Sequence, residues 1–85
     1  MSLKILYFAS IRESIGIAEE EVQPSLDVNT VKELIDWLSA SSNRHTRAFE
    51  EHTQIHVAID QVHSKFGASI NGAKEIAFFP PVTGG

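Results

Sequence analysis

Apolar residues alternate from the start of the chain. Leu3, Ile5 and Tyr7 fall on one side of an extended segment and Lys4, Leu6 and Phe8 on the other. The spacing predicts a strand over 3–9 whose Lys4 side faces outward, leaving Phe8 partly exposed. Ser10 and Glu13 stand at capping-box distance, Ile11 and Ile15 share one helical face, and Gly16 can supply a left-handed stop, so a short helix is expected next. Ile17 to Gln23 alternates weakly around Glu19-Glu20-Glu21 and ends at Pro24, which reads as a solvent-edged second strand pairing with the first. Thr30 and Glu33 form a second capping box. Val31, Leu34, Ile35 and Leu38 then follow at the spacing of a single apolar stripe, predicting the main helix from Thr30 to Ala40, with Trp37 in the core or on the helix flank.

Beyond the Ser41-Ser42-Asn43 cluster, Arg44 to His52 is expected to form only a less regular helical turn. Ile55, Val57 and Ile59 alternate with His56, Ala58 and Asp60 in a half-buried strand that Gln61 to Phe66 continues less clearly. Asn71-Gly72 marks a turn, and Glu75 to Phe79 is the last strand, closed by Pro80-Pro81. This order predicts an α+β chain of the β-grasp kind: a mixed sheet with one main helix packed on one face and the N-terminal strand central. A ferredoxin-like sandwich fits less well because it needs two comparable helices.

The chain has 85 residues, enough for one domain over 1–85, with 80–85 as an extended C-terminal tail. Its apolar runs are far shorter than the roughly 20 residues of a membrane-spanning helix, and Met1-Ser2-Leu3-Lys4 lacks the pattern of a secretory signal, so a cytoplasmic protein without membrane attachment is expected. With no cysteine, disulfides, thiolate metal sites and thioester-forming nucleophiles are excluded. A net charge of −4 with scattered Lys and Arg argues against a nucleic-acid binder. No nucleophile sits beside an identifiable base, and no Gly-rich phosphate loop is present. His45, His52, His56 and His63 lack metal-site spacing, so none is given a role and no metal is expected. Glu19-Glu20-Glu21 reads as a solvated strand edge, with steering of a basic partner as the alternative.

The C-terminal segment is where chemistry concentrates. Phe78-Phe79 is an apolar anchor, Pro80-Pro81 a stiff spacer that cannot continue a sheet, and Val82-Thr83-Gly84-Gly85 a narrow end. Four extended residues reach roughly 13 Å, enough to carry a terminal carboxylate into a partner's pocket. Without Cβ atoms, Gly84 and Gly85 fit a tight channel and leave the acyl carbon open to attack. Adenylation would turn the carboxylate oxygen into a leaving group and admit a sulfur nucleophile. Strand parity also turns Phe79 outward. If the first and last strands are neighbours, Phe8, Phe79 and Ala58 form an apolar patch at the base of the tail, suited to a partner.

Leu3-Lys4-Ile5-Leu6-Tyr7-Phe8-Ala9-Ser10-Ile11-Arg12-Glu13 and, more specifically, Ile76-Ala77-Phe78-Phe79-Pro80-Pro81-Val82-Thr83-Gly84-Gly85 resemble the small subunits of molybdopterin synthases, a family of ubiquitin-like sulfur carriers. The resemblance spans nearly the whole chain and implies a β-grasp fold with no bound cofactor. It implies that an E1-like adenylating enzyme uses ATP to activate Gly85, that a sulfur-donating protein supplies sulfur for a C-terminal thiocarboxylate, and that Gly84 provides clearance. The tail would enter the large catalytic subunit, in a tetramer of two small and two large chains, and give sulfur to cyclic pyranopterin monophosphate. Phe8, Phe79, Pro80, Pro81, Val82, Thr83 and, more weakly, Arg12 match interface positions. The chain departs from the family where an acidic Asp-Gly-Asp-Glu turn is replaced by Asn71-Gly72-Ala73-Lys74-Glu75, and where Asp60-Gln61 stands for Asn-Gln. A carrier for thiamine or tRNA thiolation, a ubiquitin-like modifier joined to lysines, and a binding module with an inert tail are the alternatives. Phe-Phe-Pro-Pro argues against the first.

Overall fold

The computed structural model describes residues 2–51 and 54–81. Strand β1 (Leu3–Tyr7) buries Leu3, Ile5 and Tyr7 and turns Lys4 and Leu6 to the other side, as the alternation requires. It leads at once into helix α1 (Ala9–Ile15), followed by β2 (Glu19–Val22), α2 (Val31–Ser39), α3 (Asn43–Glu51), β3 (His56–Ile59), β4 (Val62–Ser64) and β5 (Glu75–Phe79). The five strands form one sheet in the order β2-β1-β5-β3-β4. β1 and β5 run parallel as neighbours, while β2, β3 and β4 join by antiparallel pairing. Tyr7, Ile5, Ile76, Phe78 and Val57 on one sheet face share a core with Ile11 and Ile15 of α1, Val31, Leu34 and Leu38 of α2, and Ala48 of α3. The β-grasp expectation holds.

Two local signals formed as predicted. The Thr30 hydroxyl accepts from the Glu33 amide at 3.2 Å while the Glu33 carboxylate accepts from the Thr30 amide at 3.1 Å, closing the capping box of α2. Gly16 ends α1 at φ +94°, a left-handed backbone angle that calls for glycine.

Four details differ from the sequence reading. The capping box expected at Ser10 does not form. The N-cap is Phe8, two residues earlier, whose carbonyl accepts from the Ile11 and Arg12 amides, with Ala9 in the left-handed region at φ +52°. The less regular turn expected over 44–52 is a regular helix as long as α2; its His52 lies outside the described residues. Helix count therefore does not separate the β-grasp from the ferredoxin-like sandwich, and the parallel β1–β5 pairing does. Gln61 to Phe66 does not prolong β3. The chain reverses at Asp60-Gln61, both left-handed (φ +48° and +70°), and returns as β4, the geometry of a two-residue hairpin turn. An Asp60 carboxylate oxygen accepts from the amides of Lys74 and Glu75, both at 3.0 Å, which ties this hairpin to the start of β5.

The fourth difference concerns the glutamate run. Glu19 and Glu21 are exposed, but Glu20 stands opposite Ile5 and turns to the helix side. There Glu20 Oε2 accepts from the Tyr7 hydroxyl at 2.6 Å and lies 2.6 Å from His45 Nε2. His45 is 8% exposed, and its Nδ1 lies 2.6 Å from the Ser42 hydroxyl. A neutral ring satisfies all three groups when Nε2–H donates to Glu20 and the hydroxyl donates to Nδ1. The buried cluster thereby joins the edge strand to α3.

Burial, then the hydrogen bond and charge of Glu20, push the Tyr7 phenol above its ordinary value. The folded chain holds that proton more tightly than the unfolded chain. This stabilisation is full below about pH 10, the ordinary tyrosine value, and is lost as pH rises beyond it by up to about 1.4 kcal/mol per unit. Urea midpoints measured from neutral to strongly alkaline pH should therefore fall more steeply at the alkaline end for the natural chain than for Tyr7→Phe. Parallel curves would show that Tyr7 is not responsible.

Candidate functional site

The sheet face away from the helices is built by register. Leu6 stands opposite Ala77, Ala77 opposite Ala58, and Ala58 opposite His63, while Phe79 stands opposite His56. The Phe8 amide donates to the Phe78 carbonyl at 3.1 Å, so Phe8 continues β1 beside the end of β5. Parity thus brings Phe8, Phe79 and Ala58 to one face, at the sheet end where Pro80-Pro81 leaves β5. Phe8 is 47% exposed. Ala77 shares this face yet is itself buried between Leu6 and Ala58. Arg12 is exposed on α1, one turn after Phe8. Val82, Thr83, Gly84 and Gly85 lie outside the described residues.

Phe79 is only half-buried by its neighbours, and those neighbours are imidazoles. Its ring stacks on His56 at 5.7 Å and 20°, and His63 lies 6.1 Å away at 47°. Sequence reasoning gave these histidines no role. Placing His63 required recognising the reversal at Asp60-Gln61. With that turn in place, alternation alone sets His56, Ala58 and His63 on one face. Toward β2 the face becomes charged, with Lys4 3.4 Å from Glu19 in an exposed pair that contributes little to stability. The face is therefore apolar and aromatic at the exit of the tail and charged at the opposite edge.

Nothing elsewhere in the described residues assembles a catalytic centre. The groove at the far end of the sheet is lined by Leu3, Pro24, Leu26, Val28 and Ile70 together with uncharged polar residues, and it offers no acid, base or charge. No helix among the described residues is long and apolar enough to cross a membrane.

The chain is 37% identical over 83 residues to the molybdopterin synthase sulfur carrier subunit of Escherichia coli, covering 98% of this chain and 99% of that one. It is 35% identical to the subunit of the same name from Haemophilus influenzae, with the same coverage. Among solved structures, the small archaeal modifier protein 1 of Haloferax volcanii superposes with a TM-score of 0.71 at 25% identity, covering 95% of this chain and 98% of that chain. The model of the ThiS family matches residues 5–85, from the first strand through the two final glycines, and the chain belongs to that family.

Proposed function

We propose that this chain is the sulfur carrier subunit of a molybdopterin synthase and that the carboxylate of Gly85 is its working group. The observation that carries this reading is the parallel β1–β5 pairing, which sets Phe8 and Phe79 at the point where Pro80-Pro81 directs the chain off the sheet. An apolar docking face and a tail departing from its edge are what delivery of a terminal group into another protein requires. Phe8, Phe79, Pro80 and Pro81 dock on the large catalytic subunit with Arg12 at the margin, while Val82 and Thr83 run into its pocket and Gly84 gives the clearance.

The chemistry needs no side chain of this protein. The Gly85 carboxylate oxygen attacks the α-phosphorus of ATP on an E1-like activating enzyme, and pyrophosphate leaves. Hydrosulfide released by a sulfur-donating protein then attacks the acyl carbon, and AMP departs with the former carboxylate oxygen. The thiocarboxylate so formed gives its sulfur to cyclic pyranopterin monophosphate in the large subunit, and water restores the carboxylate. On this reading residues 1–85 form one carrier domain working in the cytoplasm. It binds no cofactor, catalyses nothing alone, and acts in a tetramer of two small and two large chains.

The test is the intact mass after incubation with ATP, a sulfur source and a lysate containing the activating enzyme. A gain equal to one oxygen exchanged for one sulfur is expected. No gain, in a lysate that sulfurates a known carrier, overturns the reading. The likeness to an archaeal modifier protein favours a second reading, attachment of Gly85 to lysines. It predicts stable conjugates of higher mass in cells, which the carrier reading does not.

A further inference from the structure

We propose that His56 and His63 form a two-point site for a first-row divalent transition metal, with copper(II) held most tightly. The site goes beyond the sulfur-carrier reading and does not depend on it. His63 stands opposite Ala58, and His56 lies two residues before Ala58 on the neighbouring strand, so the two imidazoles are diagonal neighbours on one face of a tight hairpin. His56 Nδ1 and His63 Nε2 are 3.0 Å apart, with the rings stacked at 5.2 Å and 28°. One ring nitrogen donates its proton to the other across a solvent-exposed gap.

Two features make this pair a chelator rather than two surface histidines. Both rings sit on strands, and the Asp60 carboxylate that binds the Lys74 and Glu75 amides holds the turn between them, so little freedom remains to be lost on binding. Phe79 stacks on His56 and restricts its rotation.

Two imidazoles suit a first-row transition ion, and affinity for such nitrogen donors peaks at copper(II). Binding breaks the bond between the rings. The donor ring moves its proton to its other nitrogen, so both facing nitrogens offer lone pairs to the ion. Two protein ligands leave the remaining positions to water, or to a donor from whatever covers the Phe79 face.

Titration of the intact chain with nickel chloride or copper chloride alone, followed by calorimetry and by electron paramagnetic resonance of the copper form, tests the site. One equivalent should bind with two nitrogen donors at the metal, and His56→Gln and His63→Gln should each weaken binding about tenfold or more, because the second ligand acts at high effective concentration. A chain lacking Gly85 should bind equally well, which keeps this test separate from the fate of the tail chemistry. Affinity unchanged in either single variant, or no binding above that of the double variant, overturns the proposal. Unaltered urea midpoints in the variants verify that they remain folded.

Discussion

A chain lacking Gly85 takes up no sulfur and supports no molybdopterin synthesis, while its folded body still engages the large subunit. The loss is complete because the reacting carbon sits at one position. Without Gly85 the new terminus is the carboxylate of Gly84, set back by one residue, or about 3.3 Å. Displacements far smaller than this already cost orders of magnitude in rate when reacting atoms must meet at van der Waals distance. Docking survives because Phe8, Phe79, Pro80 and Pro81 are untouched. Synthase turnover with the pre-sulfurated natural chain and the truncated chain, alongside calorimetric binding to the large subunit, separates the two quantities. Retained turnover would remove Gly85 from the mechanism, and lost binding would place the tail rather than the sheet face at the centre of recognition.

The combined Phe8→Ala and Phe79→Ala variant binds the large subunit about ten- to thirtyfold more weakly, or about 1.4–2 kcal/mol. Full burial of a phenylalanine side chain stabilises by roughly 1.5–3 kcal/mol, but only the surface still open to water can contribute on docking. Phe8, at 47% exposed, has about half its ring to offer. Phe79 has less, since His56 and His63 already cover part of it. Phe8 is accordingly the larger contributor, although the sequence weighs the two alike. Affinities of the single and double variants for the large subunit check this. A double variant that binds as the natural chain does would end the docking-face assignment, and a Phe79→Ala effect well above that of Phe8→Ala would show that the imidazoles move aside on docking.

Where the sequence read true, the controlling interactions are close along the chain. The faces of β1 follow from alternation within five residues, the box at Thr30 closes over three, and the stop at Gly16 is a property of one residue's backbone. The bounds of β5 follow from the turn before it and the prolines after it. The apolar patch was legible for a related reason. Once β1 and β5 are neighbours, strand parity alone decides that Phe8 and Phe79 share a face.

Where it failed, the partner was distant. Helix α3 carries a mostly polar surface, and its buried side includes His45, whose ring is satisfied by Glu20, 25 residues earlier. Its other anchor is Phe49, which packs edge-on against Phe78 at 5.3 Å. Its local start signal is the Ser42 hydroxyl, which accepts from the His45 amide at 3.1 Å as an N-cap but sits in a serine-rich cluster that reads as a helix stop. Asp60-Gln61 lacks the glycine that usually marks a two-residue hairpin, and its left-handed geometry is held instead by the Lys74 and Glu75 amides at the start of β5. Missing that turn concealed β4 and, with it, the meeting of His56, His63 and Phe79.

The sequence by itself determined the β-grasp order of elements, the inward and outward faces of the first and last strands, and the glycine-ended tail, because each is written in neighbouring residues and in the geometry of one strand or one turn. Only the tertiary structure decided that Glu20 faces the core, that α3 is a full helix, and that two histidines converge beside Phe79. These depend on hydrogen bonds and packing between segments far apart in the chain, whose free energy is realised only once the sheet has closed.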